Sequence, residues 1–349
     1  MKKKLLLVTG SNGLIGSQIV KNLCKNYDLV YGIDNNEREK FFGLGGSTLN
    51  VKKDLTKNIK NYIHLNIDIT KYKKISDLIE KLKPKDIVHC AAQPSHDHAS
   101  KIPLRDYNVN ATSTINLMES VRNFSRKSTV VFFSTNKVYG DNPNQLKFSE
   151  KKLRFDFKEK KFQKGINENF NVDNCTHSLF GVSKLSADLI VQEYGRYFDI
   201  KTCCLRGGCL TGPGQSGVEL HGFLNYLIKC NMKRNLYTIY GYKGKQVRDN
   251  IHSYDVASFV EFFLEKPRIA EVYNLGGGKE NSISILEAFN LIEKITSIPM
   301  KYRYVNKNRI GDHICYYSDL RKIRSHYPKW NLKYNINKTF EDIVEYINL

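Results

Sequence analysis

The segment Lys4-Leu5-Leu6-Leu7-Val8-Thr9-Gly10-Ser11-Asn12-Gly13-Leu14-Ile15-Gly16 joins a short apolar run to three glycines spaced by three, and a helical pattern follows over 17–24. An apolar run without polar alternation is the pattern of a strand buried on both faces, as in a parallel sheet. The glycines permit a tight turn, close approach of the backbone to a pyrophosphate at the helix N-terminus, and close helix–sheet packing. An isolated glycine triplet is more often an ordinary turn; its position between a strand and a helix is the context a dinucleotide site requires. A second apolar run, 28–33, ends at Asp34, 18 residues past Gly16. A carboxylate there accepts hydrogen bonds from ribose hydroxyls and repels a 2′-phosphate, so the pattern points to NAD rather than NADP.

The alternation continues outward. Runs at 62–67, 86–90, 129–133 and 200–205 read as strands, and 75–82, 107–122 and 183–198 as helices, with a polar loop and a short helix over 37–60. This order predicts an α/β fold, a Rossmann-type doubly wound parallel sheet with helices on both faces. From 206 the pattern changes. Glycines crowd 207–222, helices fit 219–230, 284–296 and 338–348, and strands fit 236–240 and 272–275, which predicts a smaller mixed α/β C-terminal part. The charged stretch 149–172 reads as an insertion. The expected division places 1–205, with strand-forming return segments at about 250–277, in an NAD-binding domain, and 206–249 with 278–349 in a substrate-binding part.

Composition excludes several classes. The 349 residues are 41% hydrophobic and 26% charged, which is ordinary globular usage and not that of a disordered, collagen-like or disulfide-framework chain. No apolar run approaches the ~20 residues of a membrane span, and the run after the basic N-terminal residues is too short for a signal peptide. The expected location is the cytoplasm. Eight Cys show no C-x-x-C and no zinc-type spacing, so they read as small buried hydrophobes, and no metal is expected. There are 55 Lys and Arg against 35 Asp and Glu, a net +20. The excess is spread along the chain without a nucleic-acid motif, so it reads as solvated lysine faces; a phosphate-rich ligand benefits in either case.

Further polar groups fall at the ends of the expected strands, where open α/β sheets bind ligands. Asp68-Ile69 follows the third strand and Ala91-Ala92-Gln93 the fourth. Asn110 opens the next helix, and Ser134-Thr135-Asn136-Lys137 follows the fifth strand. Each alone is more often a cap or turn; their regular placement favours a site. Phe180 and Lys184 share a helix face. With Arg248-Asp249-x-Ile-His252, these residues resemble the extended short-chain dehydrogenase/reductase family, which contains nucleotide-sugar epimerases and dehydratases. The resemblance covers nearly the whole chain. Ser134-Thr-Asn-Lys-Val-Tyr-Gly-Asp141 and Gly244-Lys-Gln-Val-Arg-Asp249 resemble its CDP-sugar 2-epimerases, and Thr176-His-Ser-Leu-Phe-Gly181 and Arg206-Gly-Gly-Cys-Leu-Thr-Gly-Pro213 a bacterial branch grouped with them.

The resemblance implies an NAD-dependent nucleotide-sugar epimerase that oxidises and re-reduces a sugar carbon, C2 of a CDP-sugar, and that forms a homo-oligomer. The alternatives are a dehydratase, a 4-epimerase, a dehydrogenase, or a redox-impaired binding protein. It implies NAD contacts from Gly10, Asn12, Gly13, Leu14, Ile15, Gly16, Asp34, Asn35, Asp68, Ile69, Ala91, Ala92, Gln93, Asn110, Ser134 and Lys184. Substrate contacts are implied for Ser95, His96, Thr135, Asn136, Lys137, Phe180, Cys209, Arg248 and Arg309, the two arginines clasping the diphosphate. Catalytic roles are implied for Thr135 and Lys184.

Two positions depart from the family. Cys209 stands where many relatives carry Asn. Phe180 stands in the Tyr place of the Tyr-x-x-x-Lys motif, and phenylalanine cannot take a proton from a sugar hydroxyl. Either another group is the base, with His177, Lys137 and Tyr139 as candidates, or the redox step is lost; a capping or surface role is the plainer reading of His177. Asp249 and Asp312 read as structural partners. Tyr237 and Tyr240 line a base pocket or pack in the core, and Lys243 and Lys245 reach phosphate or face solvent.

Overall fold

The computed structural model describes residues 3–215, 217, 222–309 and 311–348. The chain divides into two compact units: residues 1–135, 179–206 and 256–273 form the first, and 136–178, 207–255 and 274–349 the second.

The first unit is built on a seven-stranded parallel sheet. Its strands are β1 (Leu5–Thr9), β2 (Leu29–Ile33), β3 (Tyr62–Leu65), β4 (Asp86–His89), β5 (Thr129–Thr135), β6 (Thr202–Gly207) and β7 (Glu271–Leu275), in the order β7-β6-β5-β4-β1-β2-β3. The helices are α1 (Leu14–Leu23), α2 (Glu37–Phe42), α3 (Leu49–Asn58), α4 (Tyr72–Leu82), α5 (His96–Ala99), α6 (Pro103–Tyr107), α7 (Ser113–Phe124) and α8 (Ser178–Phe198). Strand side chains alternate between faces. Leu7, Ile87, Val130 and Phe132 enter one core with Ile75 and Ile79 of α4, Leu117 and Val121 of α7, and Ala187 and Val191 of α8. Leu6 and Val8, equally buried, point to the opposite face.

In the second unit, Tyr237–Tyr240 pairs in parallel with Tyr302–Val305. Val247–His252 is joined by Ser282–Ser284, Cys315–Tyr316 and Cys209–Thr211. Helices Phe223–Met232, Ile285–Thr296 and Ile336–Asn348 bury Leu227, Ile228, Phe289, Ile292, Phe340 and Ile343 against Tyr237 and Ile239. No helix among the described residues is long and apolar enough to cross a membrane.

The structure revises several boundaries. The expected insertion at 149–172 contains an antiparallel pair, Phe148–Glu150 with Phe155–Phe157, and the whole of 136–178 belongs to the second unit. Phe157 supplies the reason: it is buried 5.0 Å from the ring of Tyr317, a partner remote in sequence. Residues 250–255 and 274–277 also fall in the second unit, because 247–252 pairs with strands there. The segment 37–60 holds two helices, not one. The helix expected from 219 begins at Phe223, and 219–221 lie outside the described residues. Between α6 and α7 the helical path continues through one widened turn, Asn108–Thr112. Such turns recur at functional positions, and this one places Asn110.

Candidate functional site

At the end of β1 the chain turns through Gly10 at φ +67°, and the Gly10 N–H donates to the Ile33 carbonyl at 2.7 Å. A Cβ on Gly10 would lie 2.7 Å from the Ala91 nitrogen, and one on Gly16 would lie 2.1 Å from the Gly10 carbonyl oxygen. Both positions are closed to any side chain. Gly13 precedes α1, whose first residues are Leu14 and Ile15, and offers no side-chain cap, which leaves first-turn N–H groups to receive an anion. Asp34 directly follows β2, with one oxygen accepting from Asn12 N at 3.0 Å and the other from Asn36 N at 2.8 Å. Burial pushes this carboxyl above its ordinary pKa, and the two N–H groups oppose that. Asn35 Oδ1 accepts from the Glu37 N–H at 3.1 Å, just ahead of α2. Asp68 takes the Arg105 guanidinium at 3.0 Å, and Arg105 also pairs with Glu37; Ile69 is buried beside it. Ala91 N donates to Thr9 Oγ1 at 3.2 Å, and Ala92 follows it. Glycines, small residues and a strand-end carboxylate thus line one end of the sheet, a cradle that fits a dinucleotide.

The next shelf lies at the ends of β4 and β5, which are neighbours. Thr135 closes β5. The Ser134 hydroxyl donates to buried Asp188 of α8, which also pairs with Arg206 at 3.0 Å. Ser134 is therefore bonded inward, towards the packing of α8. Phe180 and Lys184 are buried one turn apart on α8. The Lys184 ammonium donates to the Phe133 carbonyl at 2.6 Å and lies 4.3 Å from the centroid of the Phe132 ring. Burial pulls its pKa down to about 8. Asn110 accepts from Gln93 N at 2.9 Å and donates to Ser183 Oγ at 3.0 Å and to Asp106. Ser95 caps α5 by accepting from His98 N, and His96 follows it.

The second unit gathers several cationic side chains around one carboxylate. Arg248 donates to Asp312, and the Lys137 ammonium stands 3.6 Å from the same carboxylate while donating to the Gly311 carbonyl at 2.9 Å. Burial pushes the Asp312 carboxyl up, but Arg248, Lys137 and Arg309 outweigh it and hold it well below the usual range. Burial likewise brings Lys137 down to about 8. Arg248, Lys137 and Arg309 thus converge on one carboxylate. Arg248, Arg309 and Asp312 border a cavity of about 110 Å3 whose other walls include Phe223, Tyr226, Tyr237, Tyr240 and Gln246. Cys209 pairs with Asn250 between strands, and its thiol is pushed up to about 12 by burial. Asn136 is buried at the start of the turn that holds Lys137.

Some candidates have other partners. Lys243 and Lys245 both pair with Glu150. Tyr237 packs edge-on against Phe289 as well as bordering the cavity. Asp249 accepts from Ser318 N and Gly278 N, a structural role. His177 belongs to the second unit, where its Nε2 lies 3.0 Å from the Val138 carbonyl. Arg105, Asp106, Ser183, Phe223, Tyr226 and Gln246 escaped the sequence reading. Ser183 and Gln246 lie inside quoted motifs; the others carry no local signal, since their partners are distant in sequence.

The model of the NAD dependent epimerase/dehydratase family matches residues 6–276. The chain is 29% identical to CDP-paratose 2-epimerase of Salmonella typhi, an alignment covering 96% of this chain and 98% of that protein. Among solved structures, UDP-glucose 4-epimerase from Thermotoga maritima with UDP-glucose superposes with a TM-score of 0.80 at 23% identity, over 99% of this chain and 98% of that one. A tyrosine-to-phenylalanine mutant of UDP-glucuronic acid 4-epimerase from Bacillus cereus, in complex with UDP-4-deoxy-4-fluoro-glucuronic acid and NAD, gives 0.80 at 24% identity, over 99% of each chain.

Proposed function

The chain belongs to the NAD-dependent epimerase/dehydratase family, and from that premise we propose that it inverts C2 of a CDP-sugar by transient oxidation and re-reduction. The observation that carries this reading is the similarity to CDP-paratose 2-epimerase along nearly the whole of both chains. Two features of the structure support an NAD-dependent reaction on a nucleotide sugar: the cradle around Gly10, Gly13, Gly16 and Asp34, which fits the dinucleotide, and the cavity where Arg248 and Arg309 stand beside aromatic walls, which suits the sugar nucleotide.

NAD, when bound, supplies the hydride acceptor and donor. Asp34 holds the adenosine ribose, and Gly13 lets the pyrophosphate approach the N-terminus of α1, over a turn that Gly10 and Gly16 keep tight. Lys184, buried and largely protonated at neutral pH, reaches the nicotinamide ribose. Thr135 orients the sugar hydroxyl; its own hydroxyl is too weak an acid to hold a proton in exchange. Arg248 and Arg309 clasp the diphosphate, and planar guanidinium forks suit phosphate oxygens. The cytoplasm is the proposed location.

The deciding experiment follows CDP-, UDP-, GDP- and dTDP-sugars by NMR in D2O. Inversion at C2 of a CDP-sugar without deuterium at C2 is expected, because the same hydride returns. Inversion at C4, or loss of water, would replace this reading with another of the family's reactions. Phe180 favours one second reading, a protein that binds NAD and sugar nucleotide without redox turnover. Binding of both with no conversion across the panel would establish it.

Asp34→Ala is expected to weaken NAD by about 10- to 100-fold, the worth of a charge-assisted hydrogen bond, and to reduce discrimination against NADP. Calorimetry with both dinucleotides measures this; equal affinities in the unaltered protein would overturn the assignment.

We also propose a homodimer through α6–α8. Leu104, Tyr107 and Ile115 on α6 and α7, with Leu179, Val182 and Leu189 on α8, are exposed large apolar side chains. The Tyr107 and Ser186 hydroxyls, 3.5 Å apart, and the bond from Tyr194 to Glu119 tie these helices side by side. Light scattering at micromolar concentration should give twice the chain mass, and Leu189→Glu should give the monomer.

A further inference from the structure

With Phe180 in the tyrosine place, the proton of the sugar hydroxyl needs another acceptor. The obvious candidates are engaged. The Tyr139 hydroxyl donates to Asn274 Oδ1 at 2.8 Å. The Lys137 ammonium is held by Gly311 and Asp312. The Lys184 ammonium donates to the Phe133 carbonyl. His177 faces the Val138 carbonyl through Nε2, which fixes its proton there, and its ring packs 3.7 Å from the Cys175 thiol.

His96 differs. It opens α5, in the loop that follows β4. Its Nδ1 lies 3.2 Å from Asp97 Oδ1. A carboxylate only accepts, so in the neutral ring the proton belongs on Nδ1 and Nε2 keeps its lone pair. That Nε2 is buried and has no hydrogen-bond partner among the described residues, although the side chain as a whole is 17% exposed. A buried acceptor without a donor is costly, and a ligand hydroxyl would satisfy it.

The loop is tied to the helix that carries Phe180 and Lys184. Ser95 N donates to Gln93 Oε1 at 2.6 Å, and Gln93 Nε2 donates to Asp106 at 2.6 Å. The Ser183 hydroxyl of α8 donates to the other Asp106 oxygen at 2.6 Å and lies 3.1 Å from the Phe180 carbonyl. Because β4 and β5 pair in parallel, the His96 loop and Thr135 leave the same end of the sheet.

We propose that His96, oriented by Asp97, is the catalytic base that receives the sugar hydroxyl proton on Nε2 in place of the missing phenol. The inference rests on the redox reading above. In the forward step the O–H proton passes to Nε2, the C–H pair leaves as hydride to the dinucleotide, and C=O forms. In the return step hydride re-enters the opposite face, and the imidazolium gives its proton back to the oxygen. The protein is unchanged over one turnover.

The test compares His96→Gln, Asp97→Asn and His96→Gln/Phe180→Tyr with the unaltered enzyme on the sugar nucleotide it converts. His96→Gln should lower kcat by ~10²–10⁴-fold, the usual contribution of a general base, while calorimetric affinities for NAD and sugar nucleotide stay within about threefold. Asp97→Asn should cost about tenfold, through the tautomer and orientation of the ring. Adding Phe180→Tyr to His96→Gln should recover at least about tenfold by restoring a phenol. Independently of activity, 15N NMR of the ligand-free protein should show the His96 proton on Nδ1 at neutral pH. A full-rate His96→Gln, a loss of affinity as large as the loss of rate, or a proton on Nε2 would each overturn the proposal. An unaltered protein that binds NAD and sugar nucleotide but converts nothing would overturn the redox reading, and the base assignment with it; an active protein with a full-rate His96→Gln overturns only the base.

Discussion

Gly16→Val is expected to abolish NAD binding and to destabilise the protein by roughly 3 kcal/mol or more. The first added carbon would already lie 2.1 Å from the Gly10 carbonyl oxygen, 2.8 Å from the Gly10 carbonyl carbon and 2.8 Å from the Ser11 Cα. All three are backbone atoms of the turn itself, so no rotamer change relieves the clash. Relief requires α1 to move off β1, which removes Ile19, Val20 and Leu23 from their buried positions and displaces the turn that receives the pyrophosphate. A denaturant midpoint together with NAD calorimetry measures both losses. Gly43→Val is the control: a Cβ there meets nothing within 4 Å, although its φ of +69° adds local strain. Full NAD affinity in Gly16→Val would show that the dinucleotide does not use this turn.

The second large effect belongs to Arg248. Arg248→Met should weaken sugar-nucleotide binding at least about tenfold while NAD affinity barely changes. It should also cost about 2–3 kcal/mol of stability, because the side chain of Asp312, only 25% exposed, loses the guanidinium that donates to it. Lys137 and Arg309 remain and keep the cost from being larger. The pH dependence has a definite sign. The folded carboxyl of Asp312 titrates below its unfolded value, so its stabilising contribution is present above about pH 4 and is lost as pH falls towards the folded value. The stability gap between Arg248→Met and the unaltered protein should therefore narrow in acid, and Arg248→Met/Asp312→Asn should recover much of the lost stability near neutrality. A gap independent of pH, or equal losses of both ligands, would remove Asp312 from the account.

Much of the first unit was legible because its signals are local. A buried strand, a turn that only glycine can make and a helix occupy Leu5–Leu23 in sequence order, and Asp34 follows at the end of the next strand. Arg248 and Arg309 were found through motifs, and the structure brings both to the border of one cavity. What local pattern does not carry is the choice of partner. Asp68 sits where a strand-end ligand residue belongs, yet its ion pair comes from Arg105, on another helix. Ser134 is bonded to Asp188 across the sheet–helix interface. The charged stretch 149–172 resembles surface composition, but its Phe155–Phe157 strand pairs with Phe148–Glu150 and puts the Phe157 side chain in the core. His96 appeared only as a substrate contact; its buried nitrogen, without a partner among the described residues, is a property of packing, invisible until the loop is folded.

The interleaved division of the chain bears on how it leaves the ribosome. After Thr135 the nascent polypeptide holds five of the seven strands, and β5, buried along most of its length in the finished protein, has no neighbour on its outer side until β6 begins at Thr202. At ~5–20 residues per second, that edge waits roughly 3–13 s for its partner, with unpaired N–H and C=O groups and apolar side chains open to other chains. The last strand, β7, ends only at Leu275. Synthesis of this protein is thus exposed to strand-edge aggregation at β5 and then at β6 until β7 is made, and slowed elongation between codons 136 and 201 should lower its soluble yield more than slowing anywhere after β7.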